Sequence, residues 1–263
     1  MSNDGAWAKR SSGRGYNSND CHSEFIGEVT GKITSFGVKT RGCSICDYWK
    51  GRGKTPPPHK CNSNHVGSSK SMEAALAAEQ AKAFKDTGIN LVELIADNDG
   101  STYPKMLEVL PDLNKRRDKV HTRKNIKSGF YTLGKTHKPL QRPATINYLV
   151  RMIMYAIDQN HGNPDGIRSR LDQIIPHIYG EHKGCSPVWC KAENDPKFKL
   201  KHLPYKRPLT DKALRKDLEE YFEKLKAKAD SLAFMGSTQS NESHNNTVCS
   251  KSPKARFLHV HSI

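Results

Sequence analysis

Two Cys/His groupings carry the most direct chemistry in the chain. Cys43, Cys46, His59 and Cys61 fall into a C-x2-C-x12-H-x-C pattern, and His65 is an alternative to His59. Two thiolates two residues apart suit one tetrahedral ion, and a second pair completes its shell, so the pattern predicts structural Zn²⁺. The intervening "RGKTPPP" has nothing to build a core from, so a metal would have to order it. His177, His182, Cys185 and Cys190 form a second, less stereotyped grouping, H-x4-H-x2-C-x4-C, with Trp189 inside it as a packing residue. Sequence alone leaves open whether pairs exchange between the two groupings. Cys21 and Cys249 have no ligand-type neighbours and read as free thiols.

Oxygen ligands make a second pattern. Asp4 sits in a candidate strand. Asp97 follows a β-branched apolar run, with Asp99 two residues on. Glu242 stands in the polar stretch "GSTQSNESHNNTV", with Asn245 and Asn246 one helical turn later. Each acid alone reads as a turn former or a first-turn helix residue. Together, three carboxylates on separate elements of a basic chain could converge on hard divalent cations. A pair of such cations about 4 Å apart stabilises both the attacking and the leaving oxygen of a phosphodiester displacement.

The elements that must position these residues follow from the patterning. "DGAWAKR" reads as a strand, and "CHSEFIGEVT" and "KITSFGVKT" as a hairpin turning at Gly31-Lys32. Residues 42–67 match neither period and read as an insertion. "SMEAALAAEQAKAFKDTG" predicts a helix ended by Gly88, "INLVELIAD" a buried strand, and "YPKMLEVL" a short helix starting at Pro104. Two helices joined at Gly162-Asn163-Pro164 come next, and "TDKALRKDLEEYFEKLKAKADSLAFM" reads as one further helix. The tail "FLHVHSI" has no assigned partner. The expected fold is α/β: an N-terminal part of the core over 1–114, a basic segment and helical insertion over 115–235 with the second Cys/His grouping, and a final core helix and tail over 236–263.

Charge points to the partner. The chain of 263 residues has 43 Lys and Arg against 27 Asp and Glu, a formal charge of +16, which favours polyanions and nucleic acid first. Lys115, Arg116, Arg117, Lys119, Arg123, Lys124 and Lys127 cluster around the acid Asp118 and are candidate contacts to a phosphate backbone. The start "MSNDGAWAKR" is polar, and the best apolar run, "INYLVRMIMYAI", is short and holds Arg151. These features predict no signal peptide and no membrane span, hence cytosol or nucleus with reduced thiols.

Five blocks, "DGAWAKRSSGRGYNS", "HKCNSNHVGSSKSMEA", "ADNDGST", "HIYGEHKGCSPVWC" and "STQSNESHNNTVCSKSPKAR", resemble in order the Mutator-like transposase domain, over about residues 4–256. The resemblance implies a DDE transposase with a ribonuclease-H-like mixed sheet, flanking helices, a zinc-type insertion and a helical insertion. It implies Asp4 as first acid, Asp97 or Asp99 as second and Glu242 as third. Asp118 and His121, in "DKVH", match a C/D-x-x-H motif between the second and third acids. It further implies catalytic Mg²⁺ or Mn²⁺, structural Zn²⁺, transposon-end and target DNA as partners, a homo-oligomer when active, and a nuclear location. Against the family pattern the chain reads as truncated at both ends. The alternatives are a catalytically inactive, zinc-stabilised DNA-binding protein derived from a transposon, and a ribonuclease-H-like enzyme acting on RNA.

Overall fold

The computed structural model describes residues 1–7, 18–96, 101–192, 194–195 and 197–251. In chain order the elements are β1 (Ser2–Trp7), β2 (Asp20–Ile26), β3 (Ile33–Thr40), α1 (Ser44–Lys50), α2 (Ser69–Asp86), β4 (Glu93–Ala96), α3 (Thr102–Leu107), β5 (Asn114–Arg117), α4 (Lys119–Leu133), α5 (Pro143–Asp158), α6 (Pro164–Ile178), α7 (Lys212–Lys226), α8 (Ala229–Ala233) and α9 (Gln239–Lys251). They divide into two compact units, residues 1–118 with 236–263, and residues 119–235.

The first unit is built on a five-stranded mixed sheet of order β3-β2-β1-β4-β5. β1, β2 and β3 are antiparallel neighbours, while β4 runs parallel to β1 and β5 parallel to β4. The β2–β3 turn uses Gly31 at φ 63°, a left-handed conformation that glycine adopts without a Cβ clash. α2 packs on the face carrying Gly5, Ser23 and Gly37. A Cβ at Gly5 would stand 2.7 Å from the Glu73 side chain, so the helix approaches as closely as it does only over glycine. Ser68 caps α2 by accepting from the Ser71 N–H, and Phe25, Ala77, Ala81, Phe84 and Leu94 are among the buried residues of the core beneath it.

The second unit is helical. Ile146, Leu149, Ile153, Leu171, Ile174, Leu218 and Phe222 are among the residues of its apolar core. Asn163 caps α6 through Gly166 N–H, and Asp211 caps α7 through the N–H groups of Ala213 and Leu214.

Several elements differ from the sequence expectation. Residues 115–142, read only as a basic segment, contain β5 and α4. β5 is the edge strand "NKRR". Its Arg116 is neutralised by Glu28 at 2.8 Å and Glu93 at 3.3 Å, so its order comes from pairing and not from an apolar pattern. α4 buries Thr122, Ile126 and Phe130, a stripe at four-residue spacing thinned by the bases between. The single helix expected over 210–235 breaks at Ala227-Lys228 into α7 and α8. α3 starts at Thr102, ahead of Pro104, and of the strand expected over 89–97 the described residues form Glu93–Ala96. The insertion at 42–67 contains the short helix α1.

Candidate active site and metal centres

β1 alternates faces, so Asp4 points away from the α2 face, and its neighbour across the β1–β2 ladder is Glu24. α9 lies over this pair. Asn245 donates from Nδ2 to Asp4 Oδ2 at 3.0 Å, and its Oδ1 lies 2.9 Å from His22 Nε2. Asp4 Oδ1 accepts from the Gly5 N–H at 3.0 Å. One turn earlier, Asn241 donates from Nδ2 to the Glu24 carbonyl at 3.1 Å and to Glu24 Oε1 at 3.3 Å. Two asparagines at four-residue spacing thus seat a polar helix on the sheet, one over each carboxylate.

Glu24 is completely buried. Burial pushes its carboxyl up to about 7, against the Asn241 hydrogen bond, with Asp4 adding a smaller push in the same direction. Among the described residues its Oε2 has no conventional hydrogen-bond partner, and it lies 3.4 Å from His244 Nδ1. Glu242 is half-buried in the first turn of α9, one residue after Asn241 and three before Asn245, and accepts from Gln239 Nε2 at 3.2 Å. α9 therefore carries Glu242 within one turn of the residue that grips Asp4. β4, the parallel neighbour of β1, ends at Ala96, one residue before Asp97. Asp97 and Asp99 lie outside the described residues, as does the tail "FLHVHSI".

Asp118 is buried, and its Oδ2 accepts from both the N–H and the hydroxyl of Thr238, at 2.9 and 3.0 Å. With the Gly236 N–H on the Arg117 carbonyl, this fixes the chain just before α9 against the end of β5. His121 belongs to the first turn of α4, in the second unit. Of the candidate phosphate contacts, Lys115, Arg116 and Arg117 are on β5, and Lys119, Arg123, Lys124 and Lys127 on α4. Arg116 is engaged by Glu28 and Glu93, and Lys119 by Asp158 at 2.8 Å; Arg123 and Lys124 are exposed.

The two Cys/His groupings are each drawn together within one unit, with the ligand atoms of each inside 4.8 Å of one another. Tetrahedral zinc with ordinary bond lengths requires edges of about 3.8 Å between sulfurs, about 3.6 Å between sulfur and nitrogen and about 3.3 Å between nitrogens. In the first grouping Cys46 and Cys61 sulfurs are 3.7 Å apart, and His59 Nε2 lies 3.3 and 3.4 Å from Cys43 and Cys46. In the second, the Nδ1 atoms of His177 and His182 are 3.2 Å apart, with Cys185 and Cys190 sulfurs each 3.6 Å from one of them. Both donor sets fit zinc.

The outer contacts agree with that fit. His59 Nδ1 lies 2.8 Å from the Pro57 carbonyl, an arrangement that leaves Nε2 for a metal. The Cys46 N–H directed at Cys43 pulls that thiol down to about 6, toward the thiolate a metal binds. Burial holds His177 neutral, down at about 4, as a ligand requires. His65 is not part of the first grouping; its Nε2 is 2.9 Å from the Ser71 hydroxyl.

Sequence reasoning assigned no role to Glu24, His22 or Asn241. For Glu24 and His22 the signal is an acid and a histidine two apart in a strand that otherwise reads as half-apolar, which becomes meaningful only once α9, with Asn241, is known to cover them.

The family of Mutator-like transposases matches residues 1–190. The chain belongs to that family. No curated protein and no solved structure matches it. Among the described residues no helix is long and apolar enough to cross a membrane.

Proposed function

We propose that the chain is the catalytic domain of a DDE-type transposase, cutting DNA at transposon ends and joining the freed 3′ ends to target DNA. The single observation that carries this reading is the Asn245–Asp4 hydrogen bond, which seats α9, and with it Glu242, over the strand of Asp4. The sheet order, with three antiparallel strands followed by two parallel ones, supports a ribonuclease-H-like core. β4 pairs in parallel with β1 and ends at Ala96, one residue before Asp97, which is the basis for proposing a second acid that joins Asp4.

Asp4 and Glu242, with Asp97 or Asp99, offer the all-oxygen donor set that Mg²⁺ or Mn²⁺ prefers. Such ions, when bound, stabilise the attacking and leaving oxygens of an in-line displacement. The chain's own residues do the positioning. Asn245 fixes the rotamer of Asp4, Asn241 holds α9 to β2, and Thr238 with Asp118 sets where α9 begins. Exposed Arg123 and Lys124 on α4 are suited to the phosphate backbone. The Cys/His centres hold zinc structurally. Nuclear location and homo-oligomeric assembly on paired transposon ends belong to the same reading.

The test is Mg²⁺-dependent nicking of a duplex carrying the element's own terminal repeat. Asp97→Asn and Glu242→Gln should each reduce nicking by about three orders of magnitude while DNA binding persists. Salt-sensitive binding without nicking in the unaltered chain would instead support the non-catalytic, zinc-braced DNA binder.

A further inference from the structure

The helical unit has a cavity of about 370 Å³ that the proposed chemistry does not use. Its size falls in the range of ligand pockets, roughly 300–1,000 Å³. Tyr148, Arg151 and Tyr155 line it from α5, Arg170 and Ile174 from α6, and Trp189 from the second Cys/His loop. The α5 residues stand at three- and four-residue spacing on one stripe. Arg151, which interrupts the longest apolar run of the sequence, is exposed on this stripe and not buried in the core. Most of the wall is apolar or aromatic, and Arg151 and Arg170 supply its positive charge.

Neither guanidinium has a carboxylate partner among the described residues. Arg170 donates to Gln173 Oε1 at 3.1 Å, and the Arg151 guanidinium lies 5.8 Å from the Tyr148 ring centroid. The indole N–H of Trp189 also lacks an acceptor among the described residues. Flat aromatic faces beside guanidinium groups that no described carboxylate neutralises suit a planar, π-bearing group carrying an anion. In a strongly basic chain of a transposase family, that describes a nucleotide.

The walls are held by the metal-type centre. His177 turns Nδ1 toward the Cys/His cluster, and its Nε2 is 3.0 Å from the Tyr148 hydroxyl. The Trp189 ring stands 4.8 Å from the His177 ring, and Trp189 directly precedes the ligand-type Cys190. One imidazole thus orients two of the aromatic walls, as the outer contacts of a metal-binding histidine commonly do.

We infer that this cavity is a socket for an unpaired nucleobase of DNA, with the base against Tyr155 and Trp189 and its flanking phosphates on Arg151 and Arg170. The inference rests on the DNA-acting reading above and adds a substrate feature to it: a base out of the duplex stack, read by shape and stacking more than by sequence.

The test uses the full, zinc-loaded chain and three fluorescein-labelled probes: a fully paired duplex, the same duplex with one unpaired 2-aminopurine, and the single strand. Anisotropy gives affinity, and 2-aminopurine emission reports stacking. The unpaired probe is expected to bind about tenfold tighter than the paired duplex, the gain of one base–aromatic stack, with its emission quenched on binding. Tyr155→Ala and Arg170→Gln, which leave His177 and its cluster untouched, should abolish that preference and the quench, and Tyr155→Ala should do so without changing paired-duplex affinity. Trp189→Ala should do the same if metal content, measured by mass spectrometry, stays at the unaltered level. Equal affinity of the unaltered chain for paired and unpaired probes, or a preference that survives both Tyr155→Ala and Arg170→Gln, overturns the socket alone. Failure to bind any of the probes overturns the DNA-acting reading together with it.

Discussion

α7 and α9 are helices of similar length, 15 and 13 residues, held in opposite ways. α7 buries Leu214, Leu218, Phe222 and Leu225 along one stripe, and its polar side faces water. α9 buries only Asn241 and Asn245, and both make hydrogen bonds to groups of the sheet. An apolar stripe is tolerant: many positions share the load, and contact is non-directional. A polar seat is exacting, because each bond fixes a distance and an angle and a lost partner leaves a buried group unsatisfied. A helix meant only to fill a core needs the first kind. On the proposed reading, a helix that must hold Glu242 in register with the strand of Asp4 is better served by the second.

The contrast is widest at residues 42–67, where Asn64 and His65 bond to Thr40 at the end of the segment but α1 and the loop after it have neither kind of seat. α1 buries no residue, Val66 is 99% exposed and Tyr48 53% exposed. For α1 and the loop after it, the Cys/His grouping is the ordering element among the described residues. Structural zinc in small peptide sites contributes about 10–16 kcal/mol, far above any other local interaction here. Chelation, or Cys46→Ser with Cys61→Ser, should therefore produce the largest effect. Cleavage by trypsin at Lys50, Arg52 and Lys54 should accelerate by at least about a hundredfold, read by mass spectrometry of the fragments. Unchanged cleavage after complete zinc removal would leave the segment ordered by something other than a metal.

The apolar helix should show the next effect. Leu218→Ala removes a fully buried side chain and should cost about 2–5 kcal/mol in chemical denaturation, independent of pH.

The polar seat should instead respond to pH. The carboxyl of Glu24 is raised from 4.5 to about 7 in the folded protein. Its protonated form is favoured by folding, so its contribution is fully present below about pH 4.5 and is lost as pH rises through about 7. Glu24→Gln, neutral at every pH, should remove that loss and raise stability at pH 8, relative to the parent, by up to about 3 kcal/mol. Denaturation at pH 5 and pH 8 without added Mg²⁺ measures it, and a pH-independent difference would mean that Glu24 is already ionised in the folded state.

The smallest effect is expected from Asn245→Ala, about 1–2 kcal/mol in stability. Nicking should fall more than that stability loss explains if α9 sets the Asp4 geometry. A loss of activity no larger than that of Leu218→Ala would reduce Asn245 to an ordinary packing residue.

The same contrast explains what the sequence disclosed. Helices with an apolar stripe or strong propensity, such as α2, α5 and α6, were legible from their periodicity, as was the β2–β3 hairpin from its glycine turn. α4 and β5 were not, because basic residues dilute the stripe of Thr122, Ile126 and Phe130, and "NKRR" owes its strand to pairing with β4. The candidate metal ligands were visible from spacing, since donor chemistry is local in sequence. The polar seat was visible only in part. Asn245 could be placed one turn after Glu242, but no local pattern links Glu24 or His22 to residues more than two hundred positions away. Long-range hydrogen bonds leave no period in the chain.

The bridge between Asp118 and Gly236 carries a consequence for the chain's architecture. Residues 119–235 leave and rejoin the sheet unit at positions already fastened side by side, and Gly236 fits there because a Cβ would stand 2.3 Å from the Ile95 side chain. The helical unit is therefore a cassette on a closed clasp. Its length and content can drift, or be exchanged for a short glycine linker, without asking the strands on either side of the clasp to move.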